Sequence, residues 1–157
     1  MNYGCQRQPV SNGMKVKIKK LHKDAVVPKY AHEGDAGVDF FAITKHSLKS
    51  GERCLVGTGL SFEFPNGYEL QIRPRSGLAL KKGISIVNTP GTLDAGYRGE
   101  LGIIIINHGQ EDFEINPGDK IAQGVFNKIE ICEFEEVGEL SETTRGGGGF
   151  GSTGLKK

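Results

Sequence analysis

Long apolar runs are missing from this sequence. The longest, Ile103 to Ile106, is far too short to span a bilayer as a helix, which argues against a membrane protein. Charge of one sign is missing too: 20 Lys and Arg stand against 19 Asp and Glu, a formal net charge of +1, so no global field gathers nucleic acid or acidic membranes. Cysteine is scarce. Cys5, Cys54 and Cys132 show neither CxxC nor HxxxH spacing, which speaks against a zinc site and a disulfide framework and points to reduced, buried thiols in an intracellular protein. Residues 1–13, "MNYGCQRQPVSNG", lack the apolar stretch of a signal peptide and are expected to form a disordered extension ahead of Met14. Sustained helical periodicity is absent as well, which excludes bundles and α/β folds.

What is present is glycine, 24 residues of it, with 6 prolines and abundant Val and Ile, the composition of many short strands joined by tight turns. Strand signals recur in "KVKIKKL", "GVDFFAI", "RCLVGTGLSFEF", "YELQIRP", "ISIVN", "ELGIIIIN", "DFEI" and "KIAQGVFNKIEICEFEEV". One short helix is predicted in "SGLALKK", capped by Ser76 and ended by Gly83. At 157 residues the chain is read as a single β domain over 14–144, a sandwich or jelly-roll. "ELGIIIIN" hardly alternates and is therefore expected to be buried on both faces, inside the domain or against another subunit.

Several segments carry more polar chemistry than turns require. In "DAGVDF" two carboxylates, Asp35 and Asp39, flank a small-residue turn, either as a capped turn or as a site. In "RPRSGLA" an arginine, a hydroxyl and a glycine amide at a helix start suit an anion, although a surface loop would also account for them. "NTPGTLDAGYRG" reads as a hairpin between "ISIVN" and "GELGIIIIN", with Asp94 and Tyr97 close together on it. The tail "RGGGGFGSTG" nearly matches a P-loop, but Ser152 stands in place of its lysine; Gly149 to Gly154 fits G-x-G-x-x-G without the helix that such a fingerprint needs. A glycine tail is usually disordered, yet Arg145 and Phe150 stand out within it.

Taken in order, "DAGVDF", "RPRSGLA", "NTPGTLDAGYRG", "GDKIAQ" and "RGGGGFGSTG" resemble the five ordered motifs of the trimeric dUTPases, the dUTP pyrophosphatases, from Met14 to Gly154. The resemblance implies an all-β, distorted jelly-roll with one short helix and a flexible glycine-rich arm over 145–157, assembled as a homotrimer with active sites between subunits. It implies hydrolysis of dUTP to dUMP and pyrophosphate, which keeps uracil out of DNA and supplies dUMP for thymidylate synthesis, in the cytoplasm, the nucleus or an organelle. By the same resemblance Asp39 binds, through water, the Mg²⁺ that gathers the phosphates, while Arg75, Ser76 and the Gly77 amide contact the phosphate chain. Asn88 and the hairpin backbone at Gly91, Thr92 and Leu93 hold uracil, Tyr97 packs under the deoxyribose, and Asp94 is the base. Gln123 helps to hold the phosphate end and the attacking water. Arg145, Phe150, Gly151 and Ser152 close over the nucleotide as a lid, with Phe150 stacking on uracil. Two departures from the motif pattern affect local packing: Lys120 replaces an arginine and Gly124 a leucine. A dCTP deaminase relative would be expected to carry a catalytic glutamate near the third motif and no such tail. A nucleotide-binding or signalling module without turnover would differ in activity alone.

Overall fold

The computed structural model describes residues 13–149. In chain order its elements are β1 (Lys17–Lys20), β2 (Val38–Phe41), β3 (His46–Leu48), β4 (Arg53–Gly57), β5 (Leu60–Glu63), β6 (Tyr68–Arg73), α1 (Ser76–Lys82), β7 (Ile84–Ile86), β8 (Gly91–Asp94), β9 (Gly102–Asn107), β10 (Phe113–Ile115) and β11 (Lys120–Lys128). They form a four-stranded sheet β2-β11-β6-β8, a three-stranded sheet β4-β9-β7 and the pairs β1-β5 and β10-β3, every pairing antiparallel. The chain is thus mostly β with one short helix, as expected of a jelly-roll-like fold.

Alternation decides which side of each strand is buried. On β6, Leu70 and Ile72 point inward while Glu69, Gln71 and Arg73 stay half-exposed. Phe40, Leu70, Ile72 and Leu93 of the four-stranded sheet share one core with Val56, Ile84, Ile86, Ile103 and Ile105 of the three-stranded one. Each such side chain contributes roughly 1.5–3 kcal/mol when fully buried. Phe40 meets Phe62 edge to face at 5.9 Å between ring centroids.

Several expectations change in detail. "RCLVGTGLSFEF" breaks into β4 and β5 because Thr58 donates from both its amide and its hydroxyl to Leu101 O, and Gly59 turns the chain at φ 67. Within one chain β9 is buried on one face, so the domain itself does not cover both: Ile103 and Ile105 lie in the core, whereas Ile104 and Ile106 are half-buried on the outside, the side left for another subunit. β7 and β9 pair as a hairpin's arms would, but the connection between them contains β8, which leaves to join β6 in the other sheet. Ser76 does not cap α1. Arg75 occupies that position with extended backbone and no side-chain cap, while Gly83 ends the helix at φ 69. The strand predicted to run through "IEICEFEEV" stops at Lys128, and beyond it Ile131, Phe134 and Leu140 are exposed with no regular element around them. Cys132 is exposed rather than buried; Cys54 is half-buried, and burial pushes its thiol above the ordinary value. Cys5 and most of the 1–13 extension lie outside the described residues.

The departure at Gly124 has a local cause. A Cβ there would overlap the Phe40 ring and lie 2.9 Å from Leu70 Cδ1, so the ring of Phe40 fills the space that a larger residue would need. Gly124→Leu is expected to destabilise the protein by ~1–3 kcal/mol through overpacking, and the penalty should shrink when Phe40→Ala makes room. Urea unfolding of the two single variants and the double variant measures this coupling; equal penalties in both backgrounds would refute it.

Candidate active site

Strand β11 brings three separated stretches of sequence onto one line. Gln123 lies opposite Asp39 of β2 on one side and opposite Arg73 of β6 on the other. Because residues directly opposite one another on neighbouring strands point to the same side, Asp39, Gln123 and Arg73 share the outer face of the sheet. The register between β11 and β2 shifts between Lys120 and Ala122. That bulge adds one residue, and it turns Lys120, which strict alternation would send inward, to the same outer face.

The side chains meet accordingly. Asp39 accepts from Arg75 Nε at 3.0 Å through Oδ1 and from Lys120 Nζ at 2.8 Å through Oδ2, with 27% of its side chain exposed. Arg75 also donates from Nη1 to Lys120 O at 3.1 Å, and Gln123 Nε2 donates to Pro74 O at 2.9 Å, tying the start of α1 to β11. A Cβ on Gly37 would fall 2.8 Å from Gln123 Oε1, so the "DAGVDF" turn approaches the end of the Gln123 side chain closely. The two carboxylates of that turn divide: Asp35 caps it by accepting from His32 N at 2.8 Å, and Asp39 faces the cations. Ser76 and Gly77 lie exposed at the helix start beside this cluster, with open space where a Gly77 Cβ would be. Sequence reasoning treated Lys120 only as a departure from a pattern; what puts it on Asp39 is the bulge, which has no simple signature.

Asn88, Gly91, Thr92, Leu93, Asp94 and Tyr97 line a second feature, a cleft of ≈ 300 Å³ whose apolar wall includes Ile86 and Ile104. Gly91 sits close under its neighbours, since a Cβ there would be 3.3 Å from Asn88 Nδ2 and 3.5 Å from Ile72 Cβ. The chain turns directly after β8, with Tyr97 N donating to Asp94 O at 3.1 Å. Tyr97 Oη donates to Glu100 O at 3.2 Å and its ring covers Gly99, where a Cβ would collide with it. Asp94 is exposed, and among the described residues no donor meets its carboxylate. Such a cleft offers an apolar slot for a flat ring, backbone groups at its edge, an aromatic plane and an uncommitted carboxylate.

Within one chain the two groups stay apart. Asp94 pairs with Glu69 and Gln123 with Arg73, four positions along β6, which is about 13 Å of strand. Arg145 joins neither group among the described residues; its Nε donates to Gly148 O within its own loop at 2.9 Å. Phe150, Gly151 and Ser152 lie outside the described residues. No cluster of three or more His, Cys, Asp or Glu fit to hold a metal is found among the described residues, and none of their helices is long and apolar enough to cross a membrane.

Comparison with known proteins bears on the family of the chain. A dUTPase family model matches residues 23–154. A deoxyuridine 5'-triphosphate nucleotidohydrolase of Clostridium acetobutylicum is 55% identical over 142 residues, 90% of this chain and 98% of that one. Its counterpart in Gloeothece citriformis is 56% identical over the same proportions, 90% and 98%. Among solved structures, the dUTPase of Staphylococcus bacteriophage 80alpha with dUpNHpp superposes with a TM-score of 0.83 at 30% identity, over 90% of this chain and 99% of that one. A mutant dUTPase of phage phi11 of S. aureus, in which a structural Mg(II) ion is coordinated, gives 0.75 at 28% identity, over 82% and 99%. The chain belongs to the dUTPase family.

Proposed function

We propose that the chain hydrolyses dUTP to dUMP and pyrophosphate, with Asp94 as the base, uracil in the cleft beside it and the phosphates on the cluster around Asp39. The observation that carries this reading is the pairing of an uncommitted carboxylate with a base-sized cleft on one turn, while a separate cationic row carries Arg75 and Lys120. Asp94 orients and deprotonates a water that attacks the α-phosphorus in line with the leaving pyrophosphate. Arg75, Ser76 and the Gly77 amide neutralise and position the phosphate chain; Gln123, fixed through Pro74 O, holds its end and the water. Backbone groups at Gly91 to Leu93 with Asn88 read the edge of uracil, and the narrow slot refuses a substituent at C5. Arg145, with Phe150, Gly151 and Ser152, closes the site. Removing dUTP keeps uracil out of DNA and supplies dUMP for thymidylate synthesis.

The donor set around Asp39 suits Mg²⁺. The one carboxylate of that cluster, half-buried Asp39, matches an ion that keeps several waters and takes one or two carboxylates plus substrate phosphates. Asp39 would hold that ion through water, and the ion would supply charge neutralisation along the triphosphate.

The separation of the two clusters supports sites shared between subunits of a homotrimer. So does the outer face of β4-β9-β7, where Val87 and Ile106 extend the cleft wall of Leu55 and Ile104 into an apolar surface that no described residue covers. The deaminase alternative needs a free glutamate near the third motif. Glu100 lines the cleft, but its Oε1 accepts from Gly59 N at 2.8 Å, and Asp94 is the carboxylate left uncommitted.

Asp94→Asn should keep nucleotide binding and lose turnover by ~10²- to 10⁴-fold, measured as dUMP release with dUpNHpp binding as control; near-normal turnover would remove Asp94 from the mechanism. Tyr97→Ala should narrow the preference for dUTP over UTP by roughly tenfold or more, because a ribose hydroxyl loses the surface that refuses it, while discrimination against dCTP holds. Competition assays with the three nucleotides test it, and a collapse of the dCTP discrimination alone would assign Tyr97 to base reading. Ile106→Asp, on the same outer face but outside the cleft, should abolish assembly and activity together by sedimentation and assay; an active dilute monomer of the wild type would contradict shared sites.

A further inference from the structure

The turn that presents Asp94 and Tyr97 has few supports of its own. Both residues are exposed, β8 is the last strand of its sheet, and the backbone leaves it at once for β9. One guanidinium gathers the carbonyls of this turn, and the same residue is tied to β5. Arg98 Nη1 donates to Ala95 O at 2.6 Å and to Tyr97 O at 3.0 Å, and its third neighbour at 3.5 Å is Phe62 O of β5. The backbone of Arg98 is anchored as well, since Ser61 Oγ, on a buried residue of β5, donates to Arg98 O at 2.7 Å. The next residues continue the seam: Gly59 N donates to Glu100 and Leu101 N to Leu60 O.

We infer that Arg98 is a positioning residue for catalysis, its guanidinium fixing the Asp94–Tyr97 turn against β5 so that the carboxylate and the aromatic plane keep one orientation toward the nucleotide. The inference rests on the reading of Asp94 as the base. Arg98 touches neither the carboxylate nor the ring; it holds the carbonyls on either side of Gly96, and these decide where both side chains point. Since the acceptors lie near solvent, water can satisfy them when the guanidinium is removed, so the fold should survive while the turn gains freedom. Misplacement of a catalytic group by about 1 Å can cost ~10²-fold in rate. An ammonium offers three donors on a shorter stem and can reach part of the same set.

The test uses the full chain and compares Arg98→Met, Arg98→Lys and Asp94→Asn with the wild type, reading kcat and KM for dUTP, kcat/KM for UTP, and the thermal midpoint. Arg98→Met is expected to melt within about 3 °C of the wild type while its kcat falls by ~10- to 10²-fold. Its dUTP preference over UTP should narrow as well, with Arg98→Lys recovering part of both. Loss of folded protein would lower kcat without changing the sugar preference, so a drop in kcat with an unchanged dUTP-to-UTP ratio overturns the positioning role, as does a wild-type kcat. If Arg98→Met does not fold, Arg98→Lys decides: a narrowed sugar preference supports the role and a wild-type preference overturns it. An inactive Asp94→Asn beside an unimpaired Arg98→Met refutes the role of Arg98 alone, whereas a fully active Asp94→Asn removes the base assignment and this inference with it.

Discussion

The register of β11 is the constraint on which the rest depends. Its position between β2 and β6 sets Gln123 opposite Asp39 and Arg73 at once, and one sliding step would carry every one of these side chains to the core face. The core resists that step because Ala122 and Gly124, the neighbours of Gln123, are buried against Phe40 and Leu70, where a polar side chain has no room. Packing on one face therefore fixes the polar geometry on the other. The bulge at Ile121 is the one irregularity in the pairing of β11 with β2, and it lies where Lys120 must face outward to reach Asp39.

In the proposed reaction the two clusters would solve different problems. Phosphates demand charge, which in this reading comes from Arg75 and Lys120, both held on one carboxylate, with Arg75 braced further by Lys120 O of β11. A base demands shape and a fixed edge, supplied by backbone at Gly91 to Leu93, where the lack of a side chain on Gly91 lets Asn88 and Ile72 close in. Four positions of β6 separate them within one chain, and the apolar outer face of β4-β9-β7 is the kind of surface on which further copies would bring such halves together.

Much of this was legible in the sequence because it depends on residue type at fixed spacing. The strands announced by alternation formed, and the ordered motifs named Asp39, Arg75 and Gln123, which the structure joins, and Asn88, Asp94 and Tyr97, which line one cleft. What escaped depends on long-range pairing. β8, "GTLD", has no strand composition and exists because β6 offers it an edge. Beyond Lys128 the composition favours a strand, but within one chain no partner strand is there to take it. Ser76 looked like a helix cap, yet the extended position fell to Arg75, whose side chain is drawn to Asp39 and Lys120 O instead of to the helix amides. Asp35 and Asp39 could not be told apart by pattern, since one carboxylate's role as a turn cap depends on where His32 N lies.

The paired anchoring of Arg75 bears on how an occupied site keeps its order. In the chain alone, Asp39 balances Arg75 and Lys120, and both cations lose part of that balance once phosphates compete for them or Asp39 turns toward other partners. Lysine is a point charge on a flexible stem, and its Nζ 5.8 Å from the Phe41 ring centroid gives it only a weak second hold. Arginine presents a fork, and Arg75 uses its Nη1 on Lys120 O, a backbone acceptor fixed in β11 and separate from the carboxylate that its Nε meets. Its guanidinium can thus release Asp39 at Nε and keep its direction, so the arginine can exchange a carboxylate for a phosphate without reorganising, while the lysine must find its new position afresh. On the proposed reading the arginine would be the preorganised cation of the pair, and the lysine of the fourth motif would fall on the partner with fewer fixed contacts.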